Sequence, residues 1–238
     1  MHLVDRVIAR ARRRSGAGLD YVIPAEIKGD EFYRAIVEVA STRGLEHILE
    51  IGASGGAGST EAFVTGILKN PDRPRLHCIE ISAPRYEALV KRHAASDFVH
   101  CYRVSSVPVA SFPSPAEVEE FHRTVNSKLS RFPVNQVLGW LEQDVTYIQS
   151  QEIPTNGIQL IREAHGIDIF DAVLIDGSEF TGPAELKEVY GARFLLLDDI
   201  CTYKNFANFC ALKADPAYRL VEASENPRNG YAVFERTP

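Results

Sequence analysis

The chain has 238 residues, of which 45% are hydrophobic and 24% charged, with a formal net charge of −6. This is the make-up of a globular protein of one large α/β domain or two small ones. An acidic balance gives no footprint for nucleic acid, and no apolar run approaches the ~20 residues that span a bilayer, so neither a nucleic-acid nor a membrane partner is expected.

The opening segment, "MHLVDRVIARARRR", is locally basic and lacks the apolar stretch of a secretory signal, which points to a cytoplasmic protein. Leu3, Val7 and Ile8 share one face of a short helix, so residues 1–29 read as an N-terminal helix with a lid or oligomerisation segment, a homodimer being left open. Cys78, Cys101, Cys201 and Cys210 show no C-x-x-C spacing and read as reduced thiols.

From Asp30 onward helical and extended patterns alternate. "DEFYRAIVEVASTRG" places Phe32, Ala35, Ile36 and Val39 at helical spacing and stops at Gly44. "HILEIG" is a buried strand, and "STEAFVTGILKN" a helix that starts directly after four glycines. "RLHCIEI" is a second strand, "APRYEALVKRHA" a second helix with Pro84 near its start, and "FVHCYRV" a third strand.

Between about 113 and 166 the pattern is helical throughout. Val118, Phe121, Val125 and Leu129 line one amphipathic helix and Val134, Val137, Leu138, Leu141, Val145 and Ile148 a second, followed by the short "GIQLIREAHG". That exceeds one crossover helix, so part of it is expected to cap a pocket. Strands resume with "FDAVLIDG" and, after "PAELKEVYG", with "RFLLLDDI", whose apolar runs suit parallel strands buried on both faces. "YRLVEAS" and "YAVFER" flank an Asn229-Gly230 turn and are expected to pair antiparallel. The fold class is therefore α/β: a Rossmann-like, doubly wound, mostly parallel sheet with a C-terminal antiparallel hairpin and a helical insertion.

Ligands bind such sheets beyond the carboxyl ends of the strands, where "EIGASGGAGS" lies. A phosphate-binding P-loop would need Gly-Lys-Ser/Thr, but Gly58 is followed by Ser59 and Thr60. The strict dinucleotide pattern also fails. Gly52, Gly56 and Gly58 fit the looser G-x-x-x-G-x-G of short-chain dehydrogenases, yet none of Tyr86, Tyr190 and Tyr203 has the lysine four residues on that those enzymes use. Glu50 at the end of the first strand would repel a pyrophosphate and suits a cationic amino group, while Glu80 can accept ribose hydroxyls of any adenosine cofactor.

With "LEIGASGGAGST", "CIEIS" and "FDAVLIDG" in order at strand ends, the chain resembles the class I S-adenosylmethionine-dependent methyltransferases from about Asp30 to the end. The resemblance implies a catalytic domain over 30–238. It implies cofactor contacts from Glu50, Gly52, Ala53, Ser54, Gly58, Ser59, Thr60, Glu80, Ile81, Ser106, Asp176 and Gly177. Asp176 closes the fourth strand and Asp198 and Asp199 the fifth, and an oxygen-only cluster suits a hard cation. This resembles the metal-dependent O-methyltransferases of catechol and macrocin type, which implies Mg²⁺ on Asp176, Asp198 and Asp199 and a hydroxyl on a small-molecule acceptor. The macrocin-type "DGD" reads "DGS" here, with Ser178 where a base is expected. Asp176, Glu179 and Lys204 are then the candidate catalytic groups, and Trp140 and Tyr147 candidate walls of an acceptor pocket. An NAD-dependent oxidoreductase and a non-catalytic nucleoside-binding protein remain the alternatives.

Overall fold

The computed structural model describes residues 18–20 and 25–237. The expected N-terminal helix over Leu3, Val7 and Ile8 lies outside the described residues.

Seven strands form one sheet: β1 (His47–Ile51), β2 (Arg75–Ile79), β3 (Val99–Tyr102), β4 (Ala172–Ile175), β5 (Phe194–Asp198), β6 (Tyr218–Ser224) and β7 (Tyr231–Arg236). Their order is β3-β2-β1-β4-β5-β7-β6, the first five parallel and β7 antiparallel to both neighbours. The hairpin follows expectation, and its second strand, β7, lies against β5. The chain winds outward from β1 to β3 and then returns to β4, so strand order reverses between β1 and β4, where a crevice opens.

Eight α-helices accompany the sheet among the described residues: α1 (Glu31–Ala40), α2 (Ser59–Ile67), α3 (Ala83–His93), α4 (Pro115–Thr124), α5 (Val134–Ser150), α6 (Gly157–His165), α7 (Gly182–Val189) and α8 (Tyr203–Ala214). Alternation along the strands divides the core into two layers. Ile48, Leu76, Cys78, Leu174 and Leu196 face α1 to α3. Leu49, Ile79, Val173, Ile175 and Leu195 face α6 to α8.

The inserted segment builds a small core from Val118, Leu129, Val137 and Leu141, which Phe180, from beyond β4, joins. A capping box between Ser114 and Glu117 starts α4. Its helix is shorter than the apolar spacing suggests: it ends at Thr124, Val125 is extended, and Leu129 sits in a 3₁₀ turn over Lys128–Arg131. Val125 stacks no further turn on α4 because its backbone turns back, with Ser127 opening the 3₁₀ turn by accepting from the Leu129 amide.

Candidate active site

A cavity of about 950 Å³ opens beyond the carboxyl ends of β1, β2, β4 and β5. That is at the upper end for small-ligand sites and roomy enough for two reactants. Its walls come from the glycine loop, the ends of β4 and β5, the inserted helices and the short stretch Ala25–Ile27.

The glycine-loop wall starts at Gly52, whose φ of +90° and position leave no room for a side chain: a Cβ there would lie 2.0 Å from the Asp176 carbonyl oxygen. Only glycine lets the β1 and β4 ends meet so closely. Gly56 (φ +75°) is similarly tight against Leu89 and His93. From α3, His93 Nε2 lies 2.8 Å from the Gly56 carbonyl oxygen, and Arg92 donates to the Gly55 carbonyl, so the loop is braced from behind. Gly58 then caps α2 without a side-chain bond, so the first N–H groups of the helix receive no side-chain cap where Gly58 and Ser59 line the cavity. Gly52, Ala53, Ser54, Gly58 and Ser59 all line it, with Ile81, Ser106 and Gly177.

Glu80 stands one residue past β2, on the cavity wall and only 5% exposed, its carboxylate accepting from the Ser82 amide at 2.8 Å. Burial pushes its pKa up, against the lowering effect of Arg85 and of the backbone N–H groups. Such a held carboxylate still has acceptor lone pairs that a ligand's hydroxyls can meet.

Glu50 is placed differently from expectation. In β1 it shares the face of Ile48, pointing toward α2, and is fully enclosed behind the glycine loop. Its Oε2 accepts from the Thr60 hydroxyl at 2.8 Å; burial raises its pKa, against the lowering effect of Ser59, Thr60 and Cys78. Neither Glu50 nor Thr60 reaches the cavity wall. The reason is the two-residue period of a strand, which sends Glu50 to the helix layer, so the pair supports the loop rather than touching a ligand.

Next to the glycine loop, the ends of β4 and β5 gather Asp176, Asp198 and Asp199, each offering an oxygen within 4.8 Å of the others. Two cations already sit among them. Lys204 Nζ, 8% exposed, lies 2.6 Å from Asp176 Oδ1 and 2.8 Å from Asp199 Oδ2. Arg228, from the β6–β7 turn, bonds Asp198 at 2.8 Å and also pairs with Asp30, the N-cap of α1. Burial works against the Lys204 ammonium, but Asp176, Asp199 and Asp198 more than offset it and hold its pKa well above the ordinary value. Burial pushes Asp176 up despite Lys204, whereas Asp199, equally buried, is held below its usual value by that ammonium.

Glu179 lines the cavity, yet its carboxylate accepts from the Lys204 backbone N–H at 3.2 Å at the start of α8. Ser178 donates to Asp144 of α5 at 2.6 Å, so the insertion supplies a carboxylate beside the residue that replaces the second aspartate of "DGD". Trp140 lines the cavity and packs edge-on against Phe132. Tyr147 instead donates to Asp20, which also accepts from Ser82 and so ties the Gly18–Asp20 turn to α5 and the start of α3. Sequence reasoning missed Glu26, Asp144 and Arg228. Glu26 lines the cavity, and its pKa is raised to about 7 by burial, which outweighs Arg228, with Asp199 and Asp198 adding to the rise.

An oxygen-only donor set has the right chemistry for Mg²⁺, but here it does not fit a divalent ion. The oxygens that would ligate it are bridged by a buried ammonium, and the third carboxylate is engaged by a guanidinium. The glycine loop does fit an adenosine cofactor: a tight bare-backbone cradle, open N–H groups and a buried acceptor in Glu80 lie along one wall.

No protein-family model matches the chain, and no curated protein matches it in sequence. Solved structures match it in fold. An O-methyltransferase from Bacillus cereus in complex with SAH is 13% identical, covering 98% of this chain and 97% of its own, at a TM-score of 0.52. The O-methyltransferase TomG from Streptomyces achromogenes, involved in tomaymycin synthesis and in complex with SAM, is 14% identical over 100% and 91%, at 0.52. A putative O-methyltransferase from Klebsiella pneumoniae is 13% identical over 99% and 96%, at 0.51. No described helix is long and apolar enough to cross a membrane. At these identities the likeness establishes the architecture: this chain has the Rossmann-like fold of class I methyltransferases, along nearly its whole length.

Proposed function

We propose that this protein is an S-adenosylmethionine-dependent methyltransferase that acts on a hydroxyl of a small-molecule acceptor. The observation that carries the reading is the one cavity lined by the glycine loop, the start of α2, Glu80 and the charged rim at the ends of β4 and β5, with a volume large enough for two reactants. The O-methyltransferase complexes that share the fold support the choice of cofactor over NAD.

The cofactor supplies, when bound, an electrophilic methyl group on a sulfonium. Glu80 would hold the ribose hydroxyls, and the N–H groups at the start of α2 would take the methionine carboxylate. Ile81 and Ser106 would flank the base. Holding both reactants in line is the chain's main contribution, since correct alignment alone removes much of such a barrier. Glu26 would take the proton from the acceptor hydroxyl, its pKa of about 7 suiting a base at neutral pH. Residues 113–166 serve as the acceptor cap of a catalytic domain over 30–238, to which the preceding stretch Ala25–Ile27 adds Glu26, with Leu129, Phe132 and Trp140 giving an apolar surface.

The sequence-level expectation of Mg²⁺ rests on the closeness of three carboxylate oxygens, and no step here depends on it. The test is calorimetry with S-adenosylmethionine and with NAD, followed by transfer of labelled methyl to a panel of hydroxyl compounds across pH 5.5–8.5. Selective binding of S-adenosylmethionine is expected, with a rate that climbs as pH rises through about 7 and loses that limb in Glu26→Gln. Binding of NAD in its place would overturn the reading.

A further inference from the structure

The rim where the sequence suggests a divalent ion carries an ammonium, and the fold goes to some length to put it there. Lys204 is the second residue of α8, and its backbone N–H is received by Glu179. Its carbonyl oxygen lies 1.8 Å from where a Cβ of residue 182 would be, so only the glycine at that position lets the start of α8 come so close to the start of α7. The next residue, Asn205, is fully buried and donates both to the Ile175 carbonyl at 2.9 Å and to the Asp198 carbonyl at 2.6 Å. Those are the last residues of β4 and β5. Lys204 is thus fixed to the two strands whose acids it bridges. It is not a surface lysine that has folded onto the nearest charge.

An ammonium carries three N–H donors. Two are used, on Asp176 and Asp199, and among the described residues the third has no protein acceptor, while the side chain lines the cavity. A divalent ion bound to the same oxygens would lie within a few ångströms of Nζ and be repelled by it. Lysine and metal therefore compete for one position.

We propose that Lys204 is the resident cation of this site, its third N–H meeting the acceptor oxygen and its charge stabilising that oxygen during transfer, so that no divalent ion is used. The proposal rests on the methyltransferase reading above. In the step, the acceptor oxygen bonds the methyl carbon as the carbon–sulfur bond breaks with its electron pair going to sulfur. The hydroxyl proton goes to Glu26. Lys204 keeps its three protons throughout.

The experiment is a Mn²⁺ titration followed by electron paramagnetic resonance on the wild type, Lys204→Met and Lys204→Arg, each also titrated with S-adenosylmethionine. The wild type and Lys204→Arg are expected to leave Mn²⁺ free up to about 1 mM, the weak end of carboxylate sites. Lys204→Met, with the same acids uncovered, is expected to bind it at least tenfold more tightly, and methyl transfer by the wild type should be unchanged by a chelator. Micromolar Mn²⁺ binding by the wild type that is lost in Asp198→Asn overturns the proposal, as does equal Mn²⁺ affinity with and without the lysine. Failure of the wild type to bind S-adenosylmethionine is a separate result, which removes the methyltransferase reading itself.

Discussion

The two walls of the cavity are built in opposite ways. On the glycine-loop side, where the cofactor is proposed to bind, nearly everything comes from one stretch, Ile51 to Ser59, with Glu80 and Ile81 added from the next strand end; its chemistry is backbone, and its geometry is set by glycines. The acceptor side collects side chains from Glu26, Asp144 on α5, Asp176 after β4, Asp198 and Asp199 at the end of β5, Lys204 on α8 and Arg228 in the β6–β7 turn. A backbone cradle tolerates few changes but needs few residues. A charged rim assembled from so many elements depends on each charge being compensated, because a buried ion without a partner costs more than a buried pair contributes. The first wall should fail through sterics and the second through electrostatics.

The largest effect that would sharpen this contrast is Gly52→Ala. A Cβ 2.0 Å from the Asp176 carbonyl, at φ +90°, combines steric overlap with backbone strain. We expect a stability loss of about 3 to 5 kcal/mol in urea unfolding, together with loss of S-adenosylmethionine binding by calorimetry. Near-normal stability would show that the loop is looser than its contacts imply.

On the other wall, Arg228→Met should cost about 3 kcal/mol, because it leaves Asp198 and Asp30 without their shared guanidinium. Urea midpoints at pH 7 and pH 5 provide the check. The deficit should shrink at the lower pH, since burial already pushes Asp198 up and its protonation relieves the unpaired charge. A deficit that does not change with pH would mean that packing against Phe32, not charge, is what Arg228 contributes.

Glu80→Gln should leave the fold intact and weaken S-adenosylmethionine by about 2 kcal/mol, roughly thirtyfold, through loss of charge-assisted bonds to the ribose. Glu50→Gln is the useful companion. Both are acids at strand ends, but Glu50 lies behind the loop, so its substitution should alter stability more than it alters cofactor affinity.

The smallest effect tests the scaffold away from both walls. His77 is fully buried on the sheet, in a hydrogen-bonded chain with His47, Tyr102 and, through Tyr102, His165. Burial lowers its pKa to about 3, with the neighbouring histidines adding to the fall; His47 and His100 are lowered too. A group depressed in the folded state contributes stability that is complete above its unfolded value of about 6.5 and is lost as pH falls toward 3. His77 should therefore cost about 1 kcal/mol between pH 6.5 and pH 5.5, and His77→Leu should flatten that part of the stability curve. An unchanged slope would transfer the effect to His47 or His100.

Local signals in the sequence were sufficient for the sheet and for the glycine loop that lines the cavity. Apolar runs marked β1, β4 and β5, Pro84 marked the start of α3, and Asn229-Gly230 marked the hairpin, because strands, caps and tight turns are each dictated by a few adjacent residues. The glycines and Glu80 were readable for the same reason. Glu50 was misplaced by one step of reasoning: its position at a strand end was right, but the face it takes follows from which layer packs on that side, which a single strand does not reveal.

The acceptor wall was legible only in part. The three aspartates could be listed from strand ends and do come together, as parallel neighbours must bring them. What neutralises them could not be listed. Lys204 is brought in by the close approach of α8 to α7 at Gly182 and by Asn205 on two strand ends, and Arg228 by a turn thirty residues beyond Asp198. The sequence by itself determined an α/β chain with a glycine loop at the end of its first strand and an acidic rim, since these depend on local pattern and strand direction. Only the tertiary structure decided that the rim is paired with fixed cations and closed by Glu26 and Asp144. Charge compensation in a buried site is a property of distances between residues remote in the chain, and no local pattern encodes those distances.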